Sequence, residues 1–115
     1  VGLAAGVLPA TLARMTGLGA RRITAWIGPH VCAACYEVPA AMREQVAGVL
    51  PGAWATTAWG TPALDLGGAA AAQLEAAGCE VVRVDPCTRE VATLHSHRRD
   101  GEAAGRQAGI VWLPA

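Results

Sequence analysis

No lysine and no phenylalanine occur among the 115 residues, and charged side chains make up only 16% of the chain. Nine arginines balance nine acids, for a formal net charge of zero. No net field therefore draws the chain to nucleic acid or to an anionic membrane surface, and neither is expected as a partner. Arginine or acid interrupts every apolar stretch before it reaches the roughly 18 residues of a membrane span. The Walker loop, a Gly-x-Gly-x-x-Gly after a strand and the Gly-x-Ser-x-Gly elbow are all missing, so three common routes to nucleotide binding or hydrolysis have no anchor. Four cysteines are too few to demand a disulfide framework, and reduced thiols in a cytoplasmic protein are the expectation.

What is present is apolar. Hydrophobic residues reach 53%, and 26 residues are alanine, which excludes intrinsic disorder and fits one small domain with a modest core. Arginine in place of lysine, beside so much alanine, reflects compositional bias rather than chemistry. Residue 1 is Val, and Val1–Leu8 has no basic flank and is too short for a signal peptide or a span. An opening amphipathic helix with no preceding strand to cover suggests that sequence is missing before it.

Leu3, Val7, Leu8, Leu12 and Met15 recur at helical spacing, predicting a helix over Gly2–Thr16, with Pro9 as an awkward interruption. Ile23–Ile27 reads as a short strand ended by Gly28–Pro29. Pro39 fits the first turn of a helix to about Val49. Pro51–Pro62 reads as a connection whose Trp54 and Trp59 pack against the body. Asp65 is an N-cap for a helix from Leu66 to Ala77, stopped by Gly78. Glu80–Val84, Thr93–His97 and Gly109–Leu113 are candidate strands. The order is that of an α/β (α+β) arrangement, a mixed sheet with flanking helices.

Four constellations can carry chemistry. His30-Val-Cys-Ala-Ala-Cys35 offers soft donors for zinc, but a structural site needs four, and only Cys79, Cys87, His95 and His97 remain as donors of those types. A redox pair or two small semi-buried thiols are the alternatives. His95 and His97 would share one side of a strand. Cys87 would be a nucleophile if His95 or His97 lay beside it. The stretch Arg98–Arg106 places three guanidiniums on a glycine-containing polar loop. That makes it a candidate phosphate or carboxylate site, or else a solvated turn with Asp100 and Glu102 pairing the arginines.

Several blocks, in order, resemble the C-terminal half of the YfiH/YlmD family, whose members have been labelled multicopper polyphenol oxidases (laccases) and are viewed as purine nucleoside phosphorylases with adenosine deaminase activity. They are Gly2–Leu8, Trp26–Pro29 with Cys35–Val38, Leu64-Asp-Leu66, Cys87-Thr88, and Ser96–Gly101 with Gly105-Arg106. Two positions depart from the family pattern: His97 stands where tyrosine is usual, and Ala104 where threonine is. The resemblance implies that residues 1–115 are the C-terminal part of a single YfiH-like domain in a cytoplasmic enzyme. That enzyme would phosphorolyse adenosine, inosine, guanosine or methylthioadenosine with inorganic phosphate. It implies zinc in the complete enzyme, held by two histidines and a cysteine of the other half, with no metal site in this chain. Ser96, Arg98, Arg99 and Arg106 are then the expected phosphate or substrate contacts. The competing expectation is a catalytically inactive remnant or interaction module, prone to self-association or completed by a missing N-terminal half.

Overall fold

Parallel pairing of two short strands organises the chain. The computed structural model describes residues 1–115. Strand β1 (Thr24–Ile27) lies parallel to β4 (Glu80–Arg83), with Thr24 opposite Glu80 and Ile27 opposite Arg83. Between them the chain forms helix α2 (Ala40–Val49), a 3-10 turn over Pro51–Ala53, strands β2 (Trp54–Thr56) and β3 (Pro62–Leu64), and helix α3 (Leu66–Ala76). Helix α1 (Val7–Gly17) precedes β1, and the single-turn helix α4 (His97–Asp100) follows β4. The α/β class expected from the sequence holds. Its parallel and antiparallel pairing is divided between two separate two-stranded sheets, β1–β4 and β2–β3.

Local chemistry accounts for the helices. Pro9 is the third residue of α1, whose N-cap is Gly6; in a first turn its missing N–H costs nothing. The helix therefore starts at Val7, and residues 2–5 turn into it. Pro39 is the N-cap of α2. Asp65 caps α3 by accepting a hydrogen bond from the Gly68 N–H at 2.8 Å. Gly78 follows with φ +85°, a left-handed conformation that glycine adopts without a Cβ penalty. Asp65→Ala is expected to cost about 1 kcal/mol in urea denaturation, with Asp65→Asn recovering most of it. An unchanged midpoint for the alanine variant would refute the cap's contribution.

The core is thin. Val38, Leu50, Ala53, Leu64 and Ala69 form the buried cluster, with Leu3, Tyr36, Val46 and Leu66 packed against it. Helix α3 buries Gly67, Ala69, Ala71 and Leu74, and the first three are small enough to let it approach closely. The two expected indole anchors do not bury. Trp54 and Trp59 are 51% and 47% exposed, and each lies under a guanidinium instead, Arg43 at 3.8 Å and Arg89 at 5.0 Å from the ring centroid.

Three sequence expectations are overturned. Pro51–Pro62 is not a bare connection, since β2 and β3 pair Trp54 with Leu64 and Thr56 with Pro62. Thr93–His97 is a turn leading into α4, because the Ser96 hydroxyl accepts from the Arg99 N–H and starts a helix there. Gly109–Leu113 has strand-like residues but no partner strand and forms no regular element, with Ile110 to Leu113 at least 75% exposed.

Candidate functional site

Two loops leave the carboxyl ends of β1 and β4 and run side by side. His30 bridges to Cys87 in parallel fashion, and the Thr88 N–H donates to the His30 carbonyl at 3.0 Å. This continuation of the parallel ladder brings Cys32 and Cys35 of one loop against Cys87 and Glu90 of the other. The three sulfurs and a Glu90 carboxylate oxygen all lie within 4.8 Å of one another. The Cys32 N–H donates to the Cys87 Sγ at 3.3 Å, and the Cys35 thiol faces the Glu90 Oε1 at 3.7 Å. All four cysteines are free thiols.

The sulfurs differ in proton affinity. Burial pushes the Cys32 thiol up to about 12, and the neighbouring sulfurs of Cys87 and Cys35 push it the same way. Burial would also raise Cys87, but backbone N–H groups of Cys32, Glu90 and Arg89 aimed at its sulfur outweigh that and hold it below the ordinary thiol value. Cys32 therefore holds its proton more tightly than an ordinary thiol, and Cys87 gives its proton up more readily than one.

The arginine pair of the Ser96–Gly101 segment grips both loops. Arg98 Nη1 donates to the Glu37 carbonyl at 2.7 Å, two residues beyond Cys35, and its guanidinium lies 4.8 Å from the Tyr36 ring centroid. Arg99 Nη1 donates to the carbonyls of Thr88, Arg89 and Val91, and Nη2 to that of Leu94. Its remaining N–H groups meet the Asp100 carboxylate at 2.9 and 2.8 Å. Every Arg99 donor is thus used within the protein. The Ser96 hydroxyl is buried and caps α4. Arg106 is exposed on the irregular segment that follows.

The sequence-derived candidates therefore separate. Cys32, Cys35 and Cys87 meet, whereas Cys79 sits at the start of β4, at the opposite end of the parallel pair. An open polar cleft at that end, lined by Arg21, Arg22, Ile23, Thr24, Gly78 and Glu80, gathers no cluster of metal-ligating or nucleophilic side chains. His95 and His97 do not flank Cys87. The His95 Nδ1 accepts from the Gly105 N–H at 3.2 Å, and the His97 Nδ1 lies 3.0 Å from the Gly101 carbonyl. A Cys87–His nucleophilic pair is not assembled. Glu90 is a carboxylate donor, which a search of the sequence for sulfur and imidazole ligands does not reach. Its signal was the repeated gap, Cys32-x2-Cys35 and Cys87-x2-Glu90, each pair following a strand of the same parallel ladder.

No solved structure matches the chain. It is 53% identical over 115 residues to a protein of Streptomyces coelicolor named purine nucleoside phosphorylase, and 51% identical to a protein of the same name from Streptomyces griseus. Each alignment covers 97% of this chain, and 47% and 46% of those relatives respectively. A Mycobacterium tuberculosis protein, also named purine nucleoside phosphorylase, is 49% identical over 94% of this chain and 44% of its own length. The chain thus spans about half the length of the curated relatives it matches. Residues 1–114, including both cysteine loops and the arginine segment, match the profile described as multi-copper polyphenol oxidoreductase laccase, so the chain belongs to that family, the one its ordered motifs resemble.

Proposed function

We propose that this chain supplies the C-terminal part of a purine nucleoside phosphorylase domain, one that splits a purine nucleoside with inorganic phosphate into free base and pentose 1-phosphate. The observation that carries this reading is the 53% identity to a protein of that name over 97% of the chain. The reading extends to a cytoplasmic location and to deamination of adenosine by the same protein. No helix is long and apolar enough to cross a membrane, which is compatible with that location.

Phosphorolysis needs phosphate oxygens held against a sugar whose anomeric carbon gains positive charge, so fixed donors around phosphate contribute directly. Of the four expected contacts, Arg98 and Arg106 have donors to offer. Arg98 is held over Tyr36 with only Nη1 engaged, a pre-oriented fork of the kind that binds phosphate in bidentate fashion. Arg106 is free to meet an anion. Ser96 and Arg99 act as positioning residues, one capping α4 and the other holding the Thr88–Leu94 loop. The metal that the resemblance implies is carried, on this reading, by donors outside these residues, and no step through it falls to this chain. The copper of the family's description does not fit the donors present. His30, His95 and His97 each point a ring nitrogen at a backbone group and share no cluster, while the one gathered set is three thiols and a carboxylate.

The test is phosphate-dependent release of purine from adenosine, inosine, guanosine or methylthioadenosine by the protein that carries this chain. Arg106→Ala is expected to lower kcat/KM about 100-fold, the size of a lost oxyanion donor, with little change in stability. Unchanged kcat/KM at subsaturating phosphate would remove Arg106 from the site.

A further inference from the structure

We infer that Cys32, Cys35, Cys87 and Glu90 form a binding site for a thiophilic divalent cation of the zinc class, built where the loops leave β1 and β4. This site does not depend on the phosphorylase reading, and none of its four donors is an expected phosphate contact.

The first argument is donor geometry. Zinc takes thiolate sulfur at about 2.3 Å in a tetrahedron, which sets ligand sulfurs about 3.8 Å apart. The four donor atoms already lie within 4.8 Å of one another, so rotamer adjustments of an ångström or less close the shell. The second is backbone support. Both pairs have the two-residue gap that lets neighbouring side chains converge on one ion. Each pair sits on a turn, closed by the Cys35 N–H to the Cys32 carbonyl at 3.0 Å and by the Val91 N–H to the Cys87 carbonyl at 3.0 Å. A backbone N–H from the opposite loop already points at the Cys87 sulfur.

The third argument is what surrounds the donors. Arg98 fastens the loop carrying Cys35, and Arg99 fastens the turn between Cys87 and Glu90 through the Thr88 and Arg89 carbonyls. The arginine pair thus braces the backbone of both donor turns, the task of groups that support a metal's ligands. Two isolated thiols would pack as small apolar groups. Four convergent donors on two braced turns have no such use.

Donor chemistry selects the ion. Three thiolates favour zinc, copper(I) or an iron–sulfur cluster, and the hard carboxylate disfavours the last two, leaving a borderline cation that accepts both sulfur and oxygen. With four protein ligands the shell is closed, so the ion pins the two loops together and leaves no open position for a reacting water.

The reduced, metal-free chain titrated with cobalt(II) tests this directly. One equivalent is expected to produce the visible bands of tetrahedral thiolate-bound cobalt, and zinc is expected to displace it and raise Tm by about 10 °C. Cys87→Ser is expected to lose more than about 100-fold in affinity, beyond the cost of losing a supporting group. Glu90→Gln should keep the sulfur-to-cobalt bands and bind more weakly, and Cys79→Ser should bind unchanged. Alkylation of the unsubstituted chain decides the matter even if Cys87→Ser fails to fold. Zinc should protect Cys32, Cys35 and Cys87 while leaving the rate at Cys79 unaltered. Absence of saturable one-equivalent binding, equal affinity in a folded Cys87→Ser variant, or protection that does not spare Cys79 would overturn the site.

Discussion

Arg99→Ala is expected to destabilise the fold by about 3 kcal/mol and to lower Tm by about 10 °C, a larger effect than its position in a charged, glycine-flanked segment suggests. The guanidinium joins four backbone carbonyls between Thr88 and Leu94 to the Asp100 carboxylate. Alanine leaves those carbonyls to water where water reaches them and unsatisfied where it does not. Thr88 is buried and pays most. The adjacent Arg99–Asp100 pair adds little, since its side chains are 29% and 35% exposed. Hydrogen bonding from Arg99 holds the Asp100 carboxyl below its usual range. That contribution is present above the unfolded carboxyl's pKa and is lost as pH falls through the lower, folded one. Lysine should not rescue, because one ammonium cannot reach acceptors spread over seven residues. The Cys87–Glu90 turn should loosen with the same substitution, so cobalt affinity should fall together with stability. A loss under about 1 kcal/mol in urea denaturation would show that the carbonyls are hydrated without the guanidinium.

The arginine segment shows where sequence reading succeeds and where it stops. Residue types alone mark Arg98–Arg106 as a candidate anion loop, and the structure ties its first two arginines to the loops that carry Cys35 and Cys87. Composition could not tell an outward-facing anion loop from an inward-facing clamp, because the difference lies in carbonyls contributed by Thr88 to Leu94. Helices α2 and α3 were legible from punctuation alone, Pro39 before one and Asp65 and Gly78 around the other. β1 and β4 were legible from β-rich runs between turn residues. The β2–β3 hairpin was not, since three-residue strands bounded by Gly and Pro have too short a period to register. Gly109–Leu113 erred the other way: β-branched and aromatic residues describe a strand only when a neighbour supplies the ladder. For the cysteine cluster the spacing was visible but the pairing was not. Nothing local says that residues 55 apart are adjacent; the parallel register of β1 on β4 says it.

At micromolar concentration and above, the 115-residue chain is expected to associate, sedimenting as dimers or larger species whose size grows with concentration. Its accessible surface is 7768 Å², against about 5,900 Å² for a compact monomer of 11.7 kDa. The excess, about 1,900 Å², is the scale of a substantial interface. It is apolar in character. Trp26 on β1 is 61% exposed, and Ile110, Val111, Trp112 and Leu113 form a bare run at 75–93%. A parallel strand pair is normally covered on both faces, and in a two-stranded sheet both strands are edges that invite further pairing. Replacing Trp26 and Trp112 with arginine should shift the distribution toward monomer by removing the two largest contacts and adding charge repulsion. If residues equivalent to the rest of the relatives' length pack on these faces, a longer protein containing this chain should hide Trp26 and Trp112 from solvent quenchers and lose the association. A monodisperse monomer with a sharp, concentration-independent melt would show instead that a five-residue core suffices, and that the exposed indoles serve neither partner.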